Sequence, residues 1–93
     1  MTETAIVNSI MRWLKAQPGC WAFKVHGGPW QLAGVPDIVG CLDGKFFALE
    51  VKRPGGKIRP VQEIIIGQIR KAGGLADIVY NKEQVCELLS NLR

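Results

Sequence analysis

Asp37, Glu50 and Lys52 stand in two short apolar runs, DIVGCL (37–42) and KFFALEVK (45–52), where charged groups are costly to bury. Only Asp43-Gly44 separates the runs, a pair suited to the two positive-φ positions of a type I′ hairpin turn. A two-residue turn sets Leu42 opposite Lys45. Every facing pair then has positions that sum to 87, which places Asp37 directly across from Glu50. Facing side chains of an antiparallel pair have Cβ atoms about 4.5–5.5 Å apart. Lys52 lies two residues beyond Glu50 and shares its face. Two carboxylates and an ammonium therefore converge at one end of the hairpin.

Two carboxylates about 5 Å apart repel by roughly 3 kcal/mol at an effective dielectric near 20. Such a pair needs a shared proton, a basic side chain or a hard divalent cation. Oxygen ligands from two acids, completed by water, suit Mg²⁺ or Mn²⁺. A lysine beside such an ion can orient or deprotonate a water, or stabilise charge on a phosphate. These residue types point to metal-assisted phosphodiester hydrolysis. A structural reading stays open beside it, with Asp37 capping a turn after Pro36 and Glu50 pairing with Lys52 at a sheet edge. The segment FFALEV is too apolar for an exposed edge and predicts that Glu50 is at least partly buried.

The elements that must position these groups are legible in the periodicity. Ile6, Val7, Ile10 and Leu14 recur at helical spacing, so residues 3 to 16 read as an amphipathic helix ending before Pro18-Gly19. WAFKV (21–25) alternates as a strand does, and HGGPWQLAGVP (26–36) is a loop punctuated by glycine and proline. After the hairpin, RPGGKIRP (53–60) is a basic loop. Residues 61 to 72 read as a helix with Val61, Ile65, Ile69 and Ala72 inward, stopped by Gly73-Gly74. LADIVY (75–80) is a strand, and Asn81 is an N-cap opening a last helix with Val85, Leu88, Leu89 and Leu92. The order α-β-β-β-α-β-α predicts an α/β domain with a mixed four-stranded sheet flanked by helices.

With 93 residues, 47% of them apolar, and no linker or repeat, residues 1–93 make one small domain. The net charge of +4 favours a polyanionic partner. Three widely spaced cysteines, Cys20, Cys41 and Cys86, contain no Cys-x-x-Cys pair and read as reduced, core-filling thiols of an intracellular protein. No secretion signal or membrane span is visible, so the expected location is cytoplasmic.

Pro36-Asp37 followed by Glu50-Val51-Lys52 resembles the PD-(D/E)xK nuclease signature, and the element order resembles its restriction-endonuclease-like core. More narrowly, GVPDIVG followed by FALEVKRPGGKIRPVQ is similar to the virus-type replication–repair nuclease family, VRR-NUC. Small stand-alone members of that family occur in phages and bacteria. The likeness runs over almost the whole chain, and Gly-x-Pro-Asp, Glu-x-Lys and a glutamine ten residues on are more specific together than PD-(D/E)xK alone. It implies that Asp37 and Glu50 bind Mg²⁺ or Mn²⁺ with the Val51 carbonyl. It further implies that Lys52 positions the attacking water and stabilises the phosphorane, and that Gln62 stands beside the site. Glu3 matches the first-helix acid of the wider superfamily. Its spacing to Ile6, Val7 and Ile10 puts it on the apolar side of the helix, where it either meets a cation or is a first-turn acid favoured by the helix dipole.

The resemblance also implies a homodimeric, structure-specific endonuclease, with DNA, and a four-way (Holliday) junction in particular, as substrate. Flap or restriction-type cleavage by the same chemistry, or a non-catalytic DNA-binding accessory module, are the alternatives. Arg53, Lys57 and Arg59 around Gly55-Gly56 directly follow Lys52 and are candidate phosphate contacts. Lys24, between Phe23 and Val25, is placed to reach the same cleft. His26 and Trp30 lie in the long loop, where they either contact DNA or gate the site, or, the preferred reading, Trp30 is a buried anchor; Cys41 shares a strand face with Asp37 but reads as core.

Overall fold

The Thr2 hydroxyl accepts the Ala5 N–H at 3.1 Å and caps helix α1 (Glu3–Lys15). Ile6, Ile10, Met11 and Leu14 form the buried stripe of this helix. In the computed structural model, which describes residues 1–27 and 32–93, α1 leads into strand β1 (Cys20–Lys24). The expected Trp30 anchor lies outside the described residues. Strands β2 (Ile38–Leu42) and β3 (Lys45–Val51) follow, then helix α2 (Pro60–Lys71), strand β4 (Leu75–Val79) and helix α3 (Lys82–Ser90). This is the order read from the sequence. Asn81 caps α3 by accepting the Gln84 N–H at 2.8 Å. No helix among the described residues is long and apolar enough to cross a membrane.

The sheet order is β1-β2-β3-β4, with β3 and β4 parallel and the other neighbours antiparallel, so the sheet is mixed. Asp43 (φ 51°) and Gly44 (φ 82°) both adopt positive φ, as the two-residue turn requires. The ladder follows from it: Leu42 faces Lys45, Gly40 faces Phe47 and Ile38 faces Leu49. One face of the sheet, with Ile38, Leu42, Phe47, Leu49, Val51 and Val79, buries against Ile6, Ile10 and Leu14 of α1 and Val85 and Leu89 of α3. On the other face, Ala48 and Ala76 meet Ile66 of α2. Strand β3 is thus covered on both sides, and Phe47 to Val51 are all buried.

Two expectations are corrected. Helix α2 buries Gln62 and Ile66, with Ile69 half-buried, whereas Val61 and Ile65 are only half-buried and Ala72 is exposed. The helix is rotated by about one residue from the face its hydrophobic pattern suggests, because a polar residue, Gln62, has a buried partner in the sheet. Cys41, like Cys20 and Cys86, is half-buried rather than core-filling. It stands in a row with Trp21 on β1 and Phe46 on β3, on the part of the face beyond α2.

Candidate active site

The register that buries the β3 core brings the acids together. The last ladder pair is Ile38 with Leu49, and one step on, the Asp37 side chain takes over where backbone pairing stops. Asp37 Oδ2 accepts the Val51 N–H at 2.8 Å, and the Asp37 carbonyl accepts the Val25 N–H at 2.8 Å. Asp37 is therefore tied to β3 through its carboxylate and to the chain after β1 through its backbone.

Glu50, in the most buried strand, is 3% exposed. Its Oε2 accepts the Gln62 amide N–H at 3.1 Å and lies 3.8 Å from Lys52 Nζ. Gln62 is held in turn, because its Oε1 accepts the Arg59 backbone N–H at 2.9 Å at the start of α2. That bond fixes which end of the amide faces Glu50, so the first turn of α2 is the clamp on the carboxylate. Burial, then the charge of Asp37 and a hydrogen bond with its carboxyl, push the Glu50 carboxyl up to about 8, against the opposing charge of Lys52 and with a small upward push from Glu3. The site is short of positive charge.

Glu3 is half-buried and lines a cleft of about 240 Å³ with Lys24, His26 and Asp37. Lys24 donates to Asn8 Oδ1 at 3.2 Å. Arg53, Lys57 and Arg59 are exposed in the loop between β3 and α2 and form no ion pair among the described residues. The structure thus brings Asp37, Glu50, Lys52 and Gln62 together, sets Glu3 and Lys24 at the adjoining cleft, and leaves the loop cations outside.

Among the described residues, no third His, Cys, Asp or Glu joins the pair in a cluster of ligands. The donor set still fits a hard divalent cation. Both candidate ligands are carboxylates, each anchored through one oxygen, Asp37 Oδ2 by the Val51 N–H and Glu50 Oε2 by the Gln62 amide, and their mutual repulsion calls for added positive charge. Asp37 and Glu50 would hold such an ion, with water completing its shell.

Gly34 is the less obvious positioning residue. It has φ +83°, and a Cβ there would lie 2.7 Å from the Val61 carbonyl oxygen. The chain entering Pro36-Asp37 passes against the first turn of α2, and only glycine allows that approach. Gly34→Ala is expected to cost about 1–3 kcal/mol, lowering the thermal midpoint by about 4–8 °C per kcal/mol in calorimetry. An unchanged midpoint would refute the packing argument.

No protein-family model matches the chain, and no curated protein matches it in sequence. Solved structures do match in fold, among them the following two. One, described as a VRR_NUC domain, superposes with a TM-score of 0.79 at 23% identity, covering 100% of both chains. Another, described as a VRR_NUC domain protein, has a TM-score of 0.75 at 19% identity and covers 97% of this chain and 86% of its own. The domain read from the spacing of two acids and a lysine has the fold of VRR_NUC domain structures.

Proposed function

We propose that the chain is a VRR-NUC nuclease: a divalent-metal-dependent, structure-specific DNA endonuclease of the PD-(D/E)xK kind, acting as a homodimer on four-way junctions. The observation that carries this reading is the pairing of half-buried Asp37 with buried Glu50, with Lys52 and Gln62 on Glu50, in a chain of VRR_NUC fold.

Mg²⁺ or Mn²⁺, when bound, supplies Lewis-acid polarisation of the scissile phosphate and lowers the pKa of water. The chain's own groups do the rest. Asp37 and Glu50 provide anionic oxygens held in place by the Val51 N–H and the Gln62 amide, and the Val51 carbonyl is a further candidate ligand. Lys52, with its side chain only 11% exposed, sets an ammonium beside Glu50, where it can orient the attacking water and offset the charge that builds on the phosphate. Lys24 and the loop cations Arg53, Lys57 and Arg59 are the candidate contacts for flanking phosphates. A domain this small has little surface for base readout, so shape and backbone contacts set its preference.

A two-fold dimer offers two equivalent sites to two equivalent strands of a junction. The uncovered half of the sheet supports it. Trp21 is 66% exposed and Phe46 46%, on either side of Cys41, and Phe23 packs its ring 5.3 Å from Trp21. Trp21→Ser with Phe46→Ser is expected to convert a dimer to a monomer in light scattering, and a dimer that persists would place the interface elsewhere.

The deciding experiment is nicking of supercoiled plasmid and of synthetic duplex, flap, splayed-arm and four-way substrates, in Mn²⁺ and in EDTA. Metal-dependent cutting with preference for the four-way junction is expected. Absence of cleavage on every substrate would sink the enzyme, and preference for flaps would replace the junction as substrate.

A further inference from the structure

A second groove, of about 590 Å³, runs between α1 and the free edge of β1. It shares Lys24 and His26 with the cleft that holds Glu3 and Asp37, so the two are continuous. Asn8, Arg12 and Lys15 line it from α1 at positions i, i+4 and i+7, one face of the helix. Lys24 is held toward that face by its bond to Asn8. Among the described residues the groove has no acidic lining. Arg12 and Lys15 join Lys24 on one open channel that leads to a pair of acids, and the nuclease reading assigns neither of them a role.

We propose that this groove seats one DNA strand flanking the scissile phosphate, with Arg12, Lys15 and Lys24 on its phosphates. The direction of the strand, from the Asp37 cleft outward, rests on the nuclease reading; the binding itself does not. At about 1.5 Å of rise per residue, Arg12 and Lys15 stand about 13–18 Å along α1 from Glu3. At about 3.4 Å per nucleotide, that span takes about four to five nucleotides. A second copy of this chain is a poor occupant, since a two-fold contact at this edge would bring like charges together, and a lysine on an edge strand opposes such pairing. The helix dipole accounts for basic residues in the last turn of α1, but not for their lining a channel that opens on the site.

The test is fluorescence anisotropy of a labelled four-way junction in EDTA, titrated between about 50 and 200 mM salt. Arg12 and Lys15 are exposed, so their loss spares the core. Arg12→Ala/Lys15→Ala is expected to bind roughly tenfold more weakly, with the slope of log K against log salt reduced by about 1.8, two phosphate contacts at about 0.9 each. Lys71→Ala, at the far end of α2, should stay within about twofold. Shortening the strand to fewer than about four nucleotides on one side of the cut should weaken the wild type and not the double variant. An unchanged slope, or a loss equal to that of Lys71→Ala, would overturn the groove. So would failure of the wild-type protein to bind. Binding with the expected slope but no Mn²⁺-dependent cleavage would leave the groove standing and remove the nuclease.

Discussion

Lys52→Ala is expected to lower metal-dependent DNA cleavage by about 10²–10³-fold, the usual cost of losing one group that stabilises charge in the transition state. The side chain is nearly enclosed and its Nζ lies 3.8 Å from Glu50 Oε2, so no other cation among the described residues stands in for it. Loss of Lys52 also removes the positive charge that lowers the Glu50 pKa, which leaves the pair harder to ionise. Single-turnover rates at saturating metal separate the two effects. If Lys52 acts on the water and the phosphate, extra Mn²⁺ will not restore the rate; if it only tunes Glu50, high metal or higher pH will. Asp37→Asn should fail in a different way. The amide can still accept the Val51 N–H, so the fold survives, but an anionic ligand is gone and calorimetric metal binding should weaken. Cleavage within about tenfold of wild type in either variant would contradict the assigned roles.

The other large effect is on stability. Glu50 has its carboxyl pushed up to about 8 in the folded chain against an ordinary 4.5, so between those values the native state binds more protons than the unfolded state. Stability therefore falls as pH rises from about 4.5 to about 8 and levels off above, by an amount on the order of a few kcal/mol. In EDTA the thermal midpoint should drop across that window. Glu50→Gln keeps an acceptor for the Gln62 amide and removes the ionisation. It should flatten the pH dependence and exceed the wild type in stability at pH 8, while abolishing cleavage. A divalent cation competes with the proton for the same pair, so its apparent affinity should rise by up to about tenfold per pH unit below 8. A Glu50→Gln protein with the wild-type pH profile would show that another group governs it.

The hairpin was the most legible part of the molecule, because Asp43-Gly44 leaves one register and the alternation does the rest. The burial of Glu50 could be read as well, since an apolar run such as FFALEV belongs in a central strand. The helix α2 was less legible. A pattern of isoleucines names the apolar side of a helix, but here Gln62 turns inward to reach Glu50, and no propensity foresees a hydrogen bond to a residue twelve positions back. Cys41 lies outside the core because coverage of a sheet face depends on where the next helix lands, which is a tertiary matter. Asn8, Arg12 and Lys15 stand at one-face helical spacing, which is visible in the sequence. The meaning of that spacing needed β1 beside it.

Strand β3 carries two sets of residues on alternate positions. Phe47, Leu49 and Val51 feed the core beneath α1 and α3, while Phe46, Ala48, Glu50 and Lys52 look to the other side. Adding or deleting one residue at the Asp43-Gly44 turn would exchange the sets, driving a carboxylate and an ammonium into the core and lifting a phenylalanine out of it. Substitutions within the hairpin are errors of spelling that leave its frame intact, whereas a one-residue insertion or deletion is a frameshift. The geometry of the candidate site and the packing of the core share that frame and would be lost together.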